Sequence, residues 1–248
     1  MQQHDILSFG AGQNAGEAAR PLVCEFHVEG QTFRLSVLGG FWVTKKYDQV
    51  LKFYADTDTP GANGWTRKTA VAQIRALRED DPDTFLVCFP HWGGNYNWKT
   101  TRQTRLAHAM IDAGADLVIG HGAHMLQEIE RYNGRWIVYG IGNFMFNSPG
   151  RYQYKKNALP FSLAVRLDVE KREGQLRMTG RLYPILSDNL ETDYQPRLAT
   201  QEEFEHVREE VLKHSDDTEE LGELLLDAND SIGPHLRLDL GRVKTLVQ

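Results

Sequence analysis

The chain has 248 residues, 41% hydrophobic and 25% charged, enough to bury a core in one α/β domain or two small ones. Its net charge of −6 leaves no overall basic field to attract nucleic acid. No run approaches the ~18 consecutive apolar residues of a membrane span.

The chain opens on "MQQHDILSFGAGQ", with neither a basic nor an apolar leader region, which makes the cytoplasm its default location. In "FGAGQNAGEAARP", Gly10, Gly12 and Ala15 fit a dinucleotide fingerprint with Glu29 downstream. That fingerprint must open a long helix, and Gly16 and Pro21 leave room for one or two turns, so the match is weak and a nucleotide-cofactor protein stays a remote third reading. "PLVCEFHVEGQTFRLSVLGG" predicts two short strands around Glu29-Gly30-Gln31. Residues 66–80 place Ala70, Val71, Ile74 and Leu77 at helical spacing. "FLVCF", 85–89, is apolar on both faces, as a central strand requires. A helix over 100–114 puts Leu106, Ala109, Met110 and Ala113 on one side and stops at Gly114. "DLVIG", 116–120, is the next buried strand. Cys24 and Cys88 lie in strand-like runs and read as small buried hydrophobes, with no disulfide framework indicated.

Beyond these, Asn133-Gly134 marks a hairpin, and strands near 161–169 and 175–184 flank "KREGQ". The tail from about 200 reads as acidic, amphipathic helix. No repeat or low-complexity linker divides the chain. The organisation expected is one domain over 1–198 with an acidic helical extension over 199–248.

Strand, helix, strand over 85–120 is a βαβ unit with parallel strands. Both carboxyl ends then lie on one edge of the sheet, where open α/β sheets hold their ligands. His91 follows the first strand, and His121 and His124 follow the second. Neutral imidazole is the commonest protein metal ligand, and the glycines beside these histidines permit close approach. Three histidines on one edge therefore point to a metal or catalytic site. His4, His27, His108, His206, His214 and His235 show no such convergence and read as structural or exposed. Trp92, Tyr96 and Trp98 serve equally as a ligand shelf or as packing. Asn143, in "YGIGNF", reads on local grounds as a turn residue bonding its own backbone.

The segments "GAGQNAGEAARP", "FPHWGGNY" and "LAHAMIDAGADLVIGHGAHMLQEIERYNGRWIVYGIGNFMF" together resemble the capsule-synthesis CapA family. That family is associated with poly-γ-glutamate capsule production and belongs to the calcineurin-like metallophosphoesterases. The resemblance runs from residue 9 to 195 and implies a four-layer α/β sandwich with a metal centre at the sheet edge. On it, His91 matches the family's His-Trp-Gly motif, and His121 and His124 match the outer histidines of Gly-His-x-x-His. Each is implied as a ligand for one or two divalent ions, Mn, Zn or Fe, between which imidazole discriminates poorly. Asn143, in Gly-Asn-Phe, is implied as support near the site, with Trp92 and Asn95 beside it.

The departures matter as much. Asn95 stands where the family carries glutamate, and Gly122 stands where it often carries histidine. The family's upstream Gly-Asp strand end and Asn-Asn-His segment have no counterpart here, and Asp5 lies too close to the Gly-rich loop to replace them. A two-metal centre needs ions ~3.5–4 Å apart with a bridging carboxylate; Glu128 sits in the next strand and Asp116 at the opposite edge. The expectation is an N-terminally incomplete domain, missing strands that another segment or partner chain would supply. Its function is then a metal-dependent phosphoesterase-type hydrolase acting on a capsule polymer or phosphoester. The alternative is a truncated, non-catalytic relative serving as a binding or assembly module. Family members often work at the cell envelope.

Overall fold

A computed structural model describes residues 7–155, 157–216 and 218–246. The order of its principal elements is β1 (Leu22–Val28), β2 (Gln31–Trp42), α1 (Arg67–Asp80), β3 (Phe85–His91), α2 (Thr101–Asp112), β4 (Leu117–Ile119), β5 (Ile129–Tyr132) and β6 (Arg135–Val138). Then follow β7 (Phe161–Arg172), β8 (Gln175–Leu186), α3 (Gln201–His214), α4 (Thr218–Leu224), β9 (Leu226–Asn229) and β10 (Pro234–Arg242). Shorter pieces are named by residue.

Two sheets form. The first has the order β1-β2-β3-β4-β6-β5, with Gly64–Trp65 pairing β2. Its inner strands β2, β3, β4 and β6 run parallel, and hairpins place antiparallel strands at both edges. The second sheet, β7-β8-β10-β9, is wholly antiparallel, with Arg197–Leu198 added beside β8.

Helix starts follow local chemistry. Thr66 and Thr100 each close a capping box, with Thr69 and Gln103 as the reciprocal partners. The helices α1 and α2 then lay Ala70, Ile74, Leu106 and Met110 on Leu86, Cys88 and Val118 of the first sheet. Alternate residues of the same strands, Phe85, Val87, Leu117 and Ile119, face Leu163, Met178, Leu182 and Leu238 of the second sheet. A period of two thus feeds two cores, which is why 85–89 is apolar throughout. Trp136 ties the sheets together by donating from Nε1 to Asp239 O at 2.9 Å.

Three expectations need correction. Residues 199–248 are helical only over α3 and α4. The strand β10 then pairs with β8 in the heart of the second sheet, its leucines 236, 238 and 240 buried and alternating with His235, Arg237 and Asp239. Acidic composition hid that period of two. The fourth layer also differs. The outer face of the second sheet carries Arg166, Asp168, Arg177, Arg181 and Asp239 in ion pairs, so a helix layer has no apolar surface to pack on there. The observed arrangement is a mixed α/β fold with one helical layer over two sheets, α3 adding Phe204, Val207 and Val211 to the core between them. Finally, Cys88 is buried, but Cys24 is only half-buried on the edge strand.

The Gly10–Ala15 loop opens a helix of four residues, Ala15–Ala18, and Ala11–Gly12 pairs with Gly61–Ala62. A crossover helix for a dinucleotide is absent from this loop.

Candidate metal centre

The strands β3 and β4 end side by side because both run parallel in the first sheet. Their pairing continues one step past β4 as a bridge between His91 and His121. His121 N donates to Pro90 O at 3.0 Å, and Trp92 N donates to His121 O at 2.8 Å. The two imidazoles are therefore delivered to the same place by backbone bonds, before any side-chain preference acts. Their Nδ1 atoms lie 3.2 Å apart.

Each ring is braced from behind. His91 stacks on Phe41, centroids 4.1 Å apart, and His121 stacks on Phe89 at 4.4 Å. Burial lowers the His91 pKa to about 4, with His124 contributing, and lowers that of His121 to about 3, with His91 contributing. Both rings are neutral at pH 7 and keep a lone pair to give. Gly122 adopts φ +106°, and a Cβ there would stand 2.9 Å from His91 Nε2. Glycine at 122 is what this packing requires.

His124 is held differently. It sits at φ +64°, its carbonyl accepts from Tyr152 Oη at 2.7 Å, and its ring stacks on Tyr96. Its Nδ1 donates to Asn143 Oδ1 at 2.9 Å, which fixes the tautomer and leaves Nε2 with a lone pair, as partners of metal-binding histidines do. Asn143 N in turn donates to Ser162 Oγ. Asn143 thus acts on His124, and the local reading of a self-bonded turn residue is replaced.

The structure therefore places two of the three predicted histidines in contact and orients the third separately. Among the described residues no group of three or more His, Cys, Asp or Glu side chains stands ready to hold an ion. The carboxylates are engaged elsewhere. Asp116 accepts from Leu86 N and pairs with Arg78 and Arg135. Buried Glu128 accepts from Lys99 N at 2.9 Å, and its pKa is raised by burial. The pair nonetheless fits a cation. Two nitrogens ~2.05 Å from a tetrahedral ion are about 3.3 Å apart, against the 3.2 Å observed.

Trp92 is 2% exposed and donates from Nε1 to Tyr139 O at 2.7 Å. Tyr96 is also buried, so these aromatics pack rather than form an open shelf. Asn95 is exposed at the mouth of a cavity of about 360 Å³ that His91 also lines. Trp92 also lines that cavity, and among its other contributors Phe41, Trp42, Tyr47 and Arg102 are not marked by any motif in the sequence. The usable signal was the period of two continuing through Gly39-Gly40 to Phe41. Of the other histidines, His108 meets Glu130 at 2.6 Å, His214 stacks on Trp98 and His235 is buried; these three are structural. His4 lies outside the described residues.

Residues 1–148 match the model of the family described as bacterial capsule synthesis protein PGA_cap. The PGA biosynthesis protein CapA of Bacillus subtilis is 35% identical over 147 residues, covering 59% of this chain and 36% of the relative. The capsule biosynthesis protein CapA of Bacillus anthracis is 35% identical over 108 residues, 42% of this chain and 26% of the relative. A probable polyglutamine synthesis accessory protein of Mycobacterium tuberculosis is 35% identical over 77 residues, 31% and 20% respectively. The chain thus spans about a third or less of each of these relatives. With the family model matched over more than half of its length, and the His91 and His121 strand ends inside the match, the chain belongs to the bacterial capsule synthesis protein PGA_cap family.

Proposed function

We propose that this chain carries part of a metal-dependent, phosphoesterase-type hydrolase centre serving poly-γ-glutamate or capsule synthesis. The observation that carries this reading is the pair of neutral imidazoles with Nδ1 atoms 3.2 Å apart at the carboxyl edge of parallel strands. His91 and His121 would hold a divalent ion through those nitrogens, and His124, positioned by Asn143, would turn Nε2 toward the same edge. When bound, such an ion supplies Lewis-acid polarisation of a phosphoryl or acyl oxygen and lowers the pKa of water. Phe41 and Phe89 stack on the two rings and would keep them in place. The superfamily kinship of the PGA_cap proteins with metallophosphoesterases supports the reaction class by analogy.

A second reading is favoured by one observation. Among the described residues no carboxylate joins the histidines, so the chain alone would act as a binding or assembly module, its centre completed by a further segment or partner. Elemental analysis after chelation and reloading with Zn²⁺ or Mn²⁺, together with turnover of an aryl phosphate, separates the two. Bound metal with turnover that His121→Ala abolishes supports the hydrolase. About one ion per chain without turnover supports the module, and absence of any metal sinks the centre itself.

A further inference from the structure

The cavity beside His91 has a composition that the metal pair does not explain. Its walls include Phe41, Trp42, Tyr47 and Asn95, and its lining carries one cation, Arg102, and no carboxylate. This is unusual company in a chain with 34 acidic and 28 basic residues. Arg102 is exposed, its guanidinium carbon 4.9 Å from the centre of the Trp42 ring. No acidic side chain forms an ion pair with it among the described residues, a state it shares with several other arginines, but it is the one cation in the lining of this cavity. Stacking on an indole holds the guanidinium plane while leaving its edge N–H donors free. A planar fork of that kind matches the two oxygens of a phosphate or carboxylate.

We infer that Arg102 is an oxyanion-recognition residue of this cleft. It takes the phosphate or carboxylate of a ligand whose apolar body rests against Phe41, Trp42 and Tyr47, bringing it beside His91. The inference rests on the reading of the His91 edge as the functional site, but its chemistry belongs to Arg102 and is measurable without metal. The volume, about 360 Å³, suits a small organic anion or one end of a polymer.

The test is calorimetric titration of the chelator-treated chain with phenyl phosphate and, separately, with benzoate. The variants are Arg102→Ala and Arg102→Lys. Loss of a charge-assisted bidentate contact is expected to weaken binding about tenfold to a hundredfold in Arg102→Ala, with Arg102→Lys between it and wild type. Both variants should melt with wild type, because Arg102 is exposed. Tighter binding of phenyl phosphate identifies a phosphoester ligand, and equal or tighter binding of benzoate identifies a carboxylate. Equal affinity in wild type and Arg102→Ala, or absence of binding to wild type, overturns the inference. Metal content of the same variants, read by elemental analysis, judges the metal reading independently: metal lost in His121→Ala but retained in Arg102→Ala keeps that reading whatever becomes of Arg102.

Discussion

The carboxyl edge of the first sheet and the outer face of the second are two places where ionisable side chains gather, and they are built on opposite rules. On the outer face, Arg181 meets Asp230 at 2.6 Å and Asp168 at 2.8 Å, and Arg177 meets Asp239 at 2.9 Å. Tyr183 Oη completes the set by donating to Asp230 at 2.8 Å. These charges largely answer one another, so little of them is left over for a ligand. At the carboxyl edge His91 and His121 are neutral, stacked on aromatics, and set with their Nδ1 atoms 3.2 Å apart. The outer face has the greater charge and a cavity of about 270 Å³, yet the quieter edge is the better candidate. Unspent bonding capacity, more than charge density, marks a functional site.

The sharpest way to break this comparison is to ask whether the second sheet is scaffold at all. Deleting residues 199–248 removes β10 and α3, and with them the buried side chains of Phe204, Val207, Val211, Leu236, Leu238 and Leu240. At ~1.5–3 kcal/mol for each such side chain, the loss matches the whole ~5–15 kcal/mol that holds a domain folded. Circular dichroism should show no cooperative melting transition in the shortened chain. A sharp transition near that of the full chain would make the tail an appendage after all.

Next in size is the edge itself. His91→Ala or His121→Ala should reduce bound Zn²⁺ from about one ion per chain to background. Asp230→Asn, a change on the outer face, should leave metal content untouched. Equal loss in all three variants would mean that the two regions are not functionally distinct. Asn143→Ala is expected to act more gently. It leaves the His124 tautomer unfixed, and removal of such outer partners typically weakens metal affinity about 10–100-fold. Competition with a chromophoric chelator would read that shift, and unchanged affinity would reduce Asn143 to a spacer.

How much of this was legible in the sequence differs between the regions for physical reasons. The βαβ unit was readable because α2 keeps a helical period and β3 is short and wholly apolar, so the arrival of His91 and His121 at one edge followed from topology alone. The length of β2 was not. Gly39-Gly40 looks like the end of a strand, but a Cβ at Gly40 would stand 2.2 Å from Trp65 and one at Gly39 2.7 Å from Phe9. These glycines mark close approach inside a strand that continues to Trp42. That hidden continuation supplies Phe41 behind His91 and Trp42 beneath Arg102. The split between the His91–His121 pair and His124 was also unreadable, because it depends on the left-handed backbone of His124 and on Asn143, 19 residues away. In the tail, overall acidity masked an alternation that places three leucines in the core.

The smallest expected effect tests whether paired charges do nothing beyond stability. Glu203, at the start of α3, accepts both guanidinium nitrogens of Arg197 at 2.7 Å. That contact, with the Thr200 N–H assisting against a cost of burial, lowers its pKa from 4.5 to about 2. A carboxylate depressed on folding stabilises the native chain above its unfolded pKa, and the contribution is lost as pH falls through the folded value. Arg197→Ala should therefore melt below wild type at pH 7, and the two curves should converge as pH falls from about 5 toward 2. Solvent reaches both partners, whose side chains are 48% and 24% exposed, which limits the gap to about 0.2–1 kcal/mol. Metal content should not change, since Glu203 and Arg197 already satisfy each other. A difference in metal content between Arg197→Ala and wild type would instead couple the second layer to the histidine edge, and the contrast between the two regions would fail at its weakest point.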